Sequence, residues 1–386
     1  MGRKLAHRFW LRNFWDCVPT SGKHHGRARR RGTSIRIGGK SLVTLAEVAR
    51  RAKVTGATVS NVLRNPQKVK PETAERVLAA IRELGYQPNL TARALASGRT
   101  STLALMLTNV TNPFYPEFVR AAEREARKRG YFLLVCHTDD DPAMTRAYLR
   151  QIAGSLAAGV IVMNTDLDER ELTEIAGNGA AVVLCMWEHV HASRALPCVT
   201  VDFAAAGALA AAHLAQLGHR QFGALVGAGA GESQTARLSG FADTLAKLGH
   251  GKRALTIETS HDSIETGYEA AKRLLHAQPT LTAIFATNDL MAIGAMQAAA
   301  DLGKRVPDDL SIMGITDIAL AHQFRPALTT VRLPTADIAA RSIALALEMV
   351  EGARPARALH VVQGIELVVR ESTGHAPSRR RSAPRS

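Results

Sequence analysis

The chain has 386 residues, 46% of them apolar and 22% charged, with a formal net charge of +15. This composition suits a globular protein with a sizeable core and leaves room for one small and one or two medium domains. No apolar run reaches the roughly 18–20 residues of a membrane span, so no membrane partner is expected. The cysteines at 17, 136, 185 and 198 show no CxxC spacing, so no zinc site, disulfide framework or cofactor is expected either.

The charge is unevenly spread. Residues 1–43 carry +10, residues 44–100 +6, residues 101–371 −5 and residues 372–386 +4. A positive field concentrated at the front points to a polyanion, with nucleic acid the commonest. Residues 1–43 hold Arg29, Arg30 and Arg31 in a row, several Gly and no sustained period. They are expected to form a disordered basic extension. They also lack an uninterrupted apolar stretch of the secretory kind, which makes the cytoplasm the expected location. Residues 372–386 read as a basic tail.

Thr44 is a good N-cap, and Glu47 three positions on completes a capping box. Leu45, Val48 and Ala49 mark one face of a helix that stops near Lys53. Thr55 opens a second helix, with Ala57, Val59, Val62 and Leu63 as its small and apolar positions. A third starts at Pro71, carries Val77, Leu78, Ile81 and Leu84 at helical spacing, and stops at Gly85. Three short helices over residues 44–88 predict an all-α helix-turn-helix headpiece whose second helix enters the DNA major groove.

After Gly98 the pattern changes. "STLALML", "YFLLVC", "GVIVM" and "AAVVLCM" are short apolar runs, followed by "QFGALVG", "RALTIET", "TAIFAT" and "LSIMGIT". Helical patterns separate them at Pro116–Arg129, Pro142–Leu156, Ala204–Leu217 and Ser263–Leu275. Such alternation predicts an α/β core over residues 101–371, built as two doubly wound lobes of parallel sheet with helices on both faces. Ligands bind beyond the carboxyl ends of such strands, so a cleft between lobes is the expected pocket.

The runs "VTGATVSNVL", "ELGYQPNLTARALASGRT", "VTNPFYPEF", "HLAQLGHRQFGAL", "ARLSGF", "ATNDLMAIGAM" and "RVPDDLSIMGI…PALTTVRLP" stand in the order found in the LacI/GalR family of bacterial transcription regulators. From Thr44 to about Glu371 the chain resembles that family. The resemblance implies a DNA-binding headpiece, a hinge helix within residues 89–100, and a core like type I periplasmic sugar-binding proteins. It also implies a homodimer acting, chiefly as a repressor, on a pseudo-palindromic double-stranded DNA operator under control of a small effector. Operator contact falls to Thr44, Thr55, Gly56, Ala57, Thr58, Ser60 and Asn61, and in the hinge to Asn89, Arg93, Leu95 and Ala96. Leu95 matches the leucine that the family wedges into the minor groove, the known way to kink a base step. Gly56 and Ala57 are too small to hydrogen-bond a base through a side chain. Asn61 stands where many members carry Arg, so adenine rather than guanine is the expected base if it reads an edge.

Effector contact falls by the same resemblance to Phe114, Tyr115, Asn164, Met186, Trp187, Arg237, Asn288 and Thr316. Many members place Asp after the Gly-aromatic pair of "GYDD", whereas here "GITD" puts Thr316 at that position. A second aspartate that serves sugar hydroxyls aligns with Met186, a feature shared with the gluconate-repressor branch. With two carboxylates gone and Arg237 kept, a sugar acid such as gluconate or ketogluconate is expected.

Two other readings use the same residues. "LVGAGAGES" places Gly227, Gly229 and Gly231 after a strand, resembling the fingerprint of an NAD-dependent oxidoreductase, but the spacing is GxGxG rather than GxGxxG. A periplasmic sugar-binding protein shares the two-lobed core but has no use for residues 44–98.

Overall fold

A computed structural model of the chain describes residues 36–37, 40–41, 43–64, 66–87, 100–139, 141–153, 155–163, 167–176, 181–186, 196–227, 232–353 and 359–377. The chain divides into two compact units, residues 1–89 and residues 90–386.

The first unit holds α1 (Leu45–Ala52), α2 (Gly56–Arg64) and α3 (Pro71–Leu84). Val48, Ala49, Ala52, Val59, Val62, Ala74, Val77 and Ala80 form its core. Small side chains dominate this cluster, which lets three short helices approach closely although none could stand alone. Leu78, expected on the buried face, is exposed; Ala57, expected at the operator, is exposed as well. Within residues 1–43, Arg36–Ile37 pair antiparallel with Lys40–Ser41.

The second unit contains two six-stranded sheets. The first lobe uses β1 (Thr102–Leu107), β2 (Phe132–His137), β3 (Gly159–Met163), β4 (Ala181–Cys185), β5 (Cys198–Thr200) and, late in the chain, β11 (Leu359–Val361), in the order β11-β5-β4-β3-β1-β2 and all parallel. The second lobe uses β6 (Phe222–Gly227), β7 (Leu255–Ser260), β8 (Ala283–Ala286), β9 (Ser311–Thr316), β10 (Thr329–Arg332) and β12 (Glu366–Val368), in the order β12-β10-β9-β8-β6-β7. Here β12 runs antiparallel to β10, a departure from the all-parallel expectation. The eight predicted strands are all present, displaced by at most two residues at either end, and β5, β10, β11 and β12 are additional.

The covering helices are α4 (Phe114–Lys128), α5 (Pro142–Ile152), α6 (Glu169–Ala176), α7 (Phe203–Gln216), α8 (Glu232–Lys247), α9 (Ile264–Ala277), α10 (Asp289–Asp301) and α11 (Thr335–Val350). Helix α4 starts two residues before the predicted Pro116, with Pro113 at its N-cap and the Asn112 side chain, one residue earlier, accepting the Phe114 amide at 3.0 Å. α7 packs in the second lobe and α11 in the first. The chain therefore crosses between lobes three times, at 200–203, 333–335 and 361–366.

Residues 372–377 were expected in the tail, yet they belong to the second lobe. Ser372 is fully buried, its amide group and hydroxyl joining Ala327, Ile312 and Thr329. Gly374 bonds Ser311, and the Ala376 amide bonds Leu217. The ring of His219 locks this strap, bonding Thr282 at 2.9 Å, Ser311 at 3.0 Å and the Gly374 carbonyl at 3.1 Å. Burial pushes the His219 pKa down to about 4, against the raising effect of that carbonyl; His213 and His375 add to the lowering.

Candidate functional site

In the headpiece, the expected capping box is formed. The Thr44 hydroxyl accepts the Glu47 amide at 3.3 Å, and the Glu47 carboxylate accepts the Thr44 amide at 2.6 Å. That amide, then the Thr44 hydroxyl, holds the Glu47 carboxyl below its ordinary range. At the start of α2 the Thr55 hydroxyl accepts the Thr58 amide at 3.2 Å and meets the Thr58 hydroxyl at 2.9 Å. Val59 and Val62 turn inward, whereas Ala57 and Asn61, four residues apart, are exposed on the opposite face. Ser60, Thr58 and Gly56 lie between these faces. A Cβ on Gly56 would meet the Leu45 side chain at 3.1 Å, so this glycine also serves the close seating of α2 on α1. Arg51 forks onto Glu83 at 2.6–3.0 Å, tying α1 to α3 and drawing that cation away from other partners. The hinge positions Asn89, Arg93, Leu95 and Ala96 lie outside the described residues.

In the core, the second lobe assembles polar groups at the carboxyl ends of its strands. Gly207 of α7 and Gly240 of α8 bring these helices into backbone contact: a Cβ on Gly207 would lie 1.9 Å from the Arg237 carbonyl oxygen, and one on Gly240 1.9 Å from that of Ala204. This contact seats Arg237, which is only 6% exposed. Its guanidinium lies 4.7 Å from the Phe203 ring centroid and donates to the Thr287 carbonyl at 2.6 Å, just beyond β8. Phe203, which none of the quoted motifs contains, lies at the crossing that opens α7.

Asn288 follows Thr287 and caps α10, its side-chain oxygen accepting the Met291 amide at 2.9 Å. The residue is 4% exposed, and its amide nitrogen is buried without a hydrogen-bond partner. An unmade bond at a buried donor costs about 1–3 kcal/mol, so this nitrogen is a costly group to leave as it stands.

Thr316 is engaged within its own lobe. Its hydroxyl donates to Asp289 at 3.2 Å, beside the Ile318 amide at 3.0 Å and the Thr330 hydroxyl at 2.6 Å on the same carboxylate. Asp289 is fully buried. Burial pushes its pKa up to about 6, opposed by the Thr330 hydroxyl and the Ile318 amide, while the charge of Asp317 adds to the rise and the Thr316 hydroxyl lowers it. The residue after Asn288 thus sets a buried carboxylate beneath Thr316. Asp317 is spoken for as well, by Arg332 at 2.7 Å and Arg370 at 2.5 Å. Thr316 and Asp317 adopt φ of +130° and +59°, strained for side-chain-bearing residues and typical of a constrained site.

The first lobe contributes mostly apolar surface. Phe114 and Tyr115 are buried at the head of α4 with rings edge-to-face at 5.6 Å, and the Tyr115 hydroxyl meets Thr108 at 3.1 Å. Met186 is buried at φ +50° just past β4, in the same cluster as Phe114, Tyr115 and Phe203. Asn164 and Trp187 lie outside the described residues. Gly227 ends β6 so close to Asp262 and Gln234 that a Cβ would stand 2.7 Å from each, while Gly229 and Gly231 lie outside the described residues. Packing against these two side chains therefore accounts for a glycine at 227.

A helix-turn-helix unit joined to a two-lobed α/β core with donors buried at its strand ends defines a DNA-binding regulator controlled by a small ligand. Residues 44–89 match the family model of bacterial regulatory proteins, lacI family, and residues 211–373 match that of the periplasmic binding protein-like domain. The chain is 34% identical over 333 residues to the ribose operon repressor of Halalkalibacterium halodurans, covering 86% of this chain and 97% of that one. It is also 34% identical to the HTH-type transcriptional regulator DegA of Bacillus subtilis, over 86% of this chain and 98% of that one. Among solved structures, the lac repressor dimer bound to operator and the anti-inducer ONPF superposes with a TM-score of 0.77 at 23% identity, over 86% of this chain and all of that one. The regulator CelR with cellobiose gives 0.64 at 26% identity, over 86% and 99%. The chain belongs to the LacI family of transcriptional regulators, and its activity is binding rather than catalysis.

Proposed function

We propose that the protein represses transcription as a cytoplasmic homodimer on a pseudo-palindromic operator, and that its effector is a sugar acid such as gluconate or ketogluconate, held between the lobes by Arg237 and Asn288. The observation that carries the effector reading is the buried, unpartnered amide nitrogen of Asn288 in the same strand-end layer as Arg237. Both groups bring donors to the strand ends, while the adjacent carboxylates of Asp289 and Asp317 are already engaged within the lobe. Such a lining calls for acceptors on the ligand, and a carboxylate supplies the strongest. Met186 fits the same ligand by bringing no negative charge.

The dimer is supported by edge strands that leave apolar side chains uncovered. On β2, Phe132 is 58% exposed with Leu134 and Val135 beside it, and on β7 Ile257 is 48% exposed. Edge strands of this kind invite a partner. The headpiece supports operator reading through α2, whose exposed face carries Ala57 and Asn61. We assign hinge contact to Asn89, Arg93, Leu95 and Ala96, and further effector contact to Asn164 and Trp187, by the resemblance.

Calorimetry with gluconate, glucose and ribose tests the effector reading; ribose is included because a ribose operon repressor is a 34% identical relative. Charged hydrogen bonds contribute roughly 1.5–3 kcal/mol, so Arg237→Ala should weaken gluconate by about 10- to 150-fold. Arg237→Lys, which keeps the charge without the planar fork, should lose less. Tighter binding of ribose or glucose than gluconate by the wild type would remove the sugar-acid reading and leave the regulator intact.

A further inference from the structure

Beyond the cleft, the turn after β9 joins the two lobes. The Ile318 amide donates to Asp289 of its own lobe at 3.0 Å, and the next amide, that of Ala319, donates to Glu117 of α4 in the first lobe at 2.9 Å. Two successive backbone donors are thus held by carboxylates from opposite lobes. Asp289 also takes the Thr316 hydroxyl, and Glu117 follows the Phe114–Tyr115 pair on the first turn of α4. The two N–H groups lie in successive peptide planes joined at the Ile318 Cα, and with the Ile318 side chain buried the rotation between them is confined, so a shift at one amide is passed to its neighbour. Ile318 is buried, and Thr316 and Asp317 sit in the strained left-handed region, which leaves this turn few alternative conformations.

We propose that Glu117 is an interlobe latch on the Ala319 amide, and that its grip is set by Thr316 acting through Asp289. A ligand that takes the Thr316 hydroxyl alters the Asp289 bond set, re-aims the Ile318–Ala319 unit, and strengthens or releases Glu117. Occupancy of the cleft is thereby converted into lobe closure. Glu117 touches no ligand in this scheme; it is a positioning residue. The idea rests on Thr316 lining the effector cleft, the reading proposed above.

Amide hydrogen exchange resolved to single residues in the full chain, without DNA or effector, tests it. Losing a charge-assisted bond should speed exchange of the Ala319 amide by about tenfold in Glu117→Ala while Ile318 stays protected. Glu117→Gln keeps an acceptor and should stay within about threefold of wild type. Thr316→Val removes the hydroxyl but keeps a branched side chain, and should change exchange at Ala319 as well as Ile318 by more than about threefold; Thr316→Ser should restore both. Thr316→Ala serves if the valine variant does not fold. Unchanged exchange at Ala319 in Glu117→Ala overturns the latch, and an effect of the threonine variants confined to Ile318 overturns its link to the cleft. Either failure leaves the effector reading standing, because no ligand enters the experiment.

Discussion

Thr316 donates its hydroxyl to Asp289 at 3.2 Å, so the position at which the family resemblance implies an aspartate rests here on a buried carboxylate. Restoring Asp at 316 sets two carboxylates against each other. The pKa of Asp289, raised to about 6 by burial, means that its protonated form stabilises the fold at low pH and that this contribution is lost as pH rises through about 6. Thr316→Asp should therefore destabilise the core by roughly 3 kcal/mol at pH 8 and by clearly less at pH 5, where one proton can be shared. Urea titrations at the two pH values measure this, and an equal loss at both would show that the carboxylates do not interact.

The contact between α7 and α8 leads to a second expectation. Gly207→Ala drives a methyl group onto the Arg237 carbonyl oxygen, a backbone atom that cannot rotate away. The cost should be roughly 3 kcal/mol by overpacking, and the Arg237 guanidinium should leave its place over Phe203. Gly249→Ala is the control: it has open space but φ +85°, and should lose only about 1 kcal/mol. Thermal melts rank the two, and a Gly207→Ala variant as stable as the Gly249→Ala one would refute the close-contact account.

On DNA, Asn61 is exposed on α2 and free of the core, so its replacement should change recognition rather than stability. If Asn61 reads a base edge, Asn61→Arg should move the preference at one symmetric half-site position from adenine towards guanine, a discrimination of about 1–3 kcal/mol. Selection on randomised half-sites decides; a uniform change in affinity with the same preferred base would place Asn61 on the phosphates.

His219 predicts the acid response of the second lobe. Its folded pKa of about 4 lies below the unfolded value, so the stability tied to the neutral ring is complete above about pH 6.5 and lost as pH falls through about 4. Allowing for solvent screening, the loss across that window should be roughly 2 kcal/mol. His219→Gln should be less stable at pH 7 but flatter with pH, as followed by urea midpoints at pH 7 and pH 5. A variant with the wild-type slope would shift the acid sensitivity to other groups.

How much of this was legible in the chain depends on the range of the interactions. The capping box of Thr44 and Glu47, the stop at Gly85 and the eight apolar strands rest on neighbours a few residues apart, and all are present. The strands β5, β10, β11 and β12 are three or four residues long and have no period of their own. They exist because a sheet edge offers them partners. Leu78 has the helical spacing of a core residue, and only the packing of α3 in the three-helix unit leaves it outward. Family motifs marked Arg237, Asn288 and Thr316, but not what holds them. The carbonyl beneath Gly207, the Asp289 carboxylate under Thr316 and the reach of Glu117 to Ala319 join residues 27 to 202 positions apart, or distant helices. The sequence by itself determined the class of protein, through local periodicity, caps and ordered motifs. The tertiary structure alone decided which polar groups remain available to a ligand, because a donor or carboxylate is spent or left over only once the distant chain has packed against it.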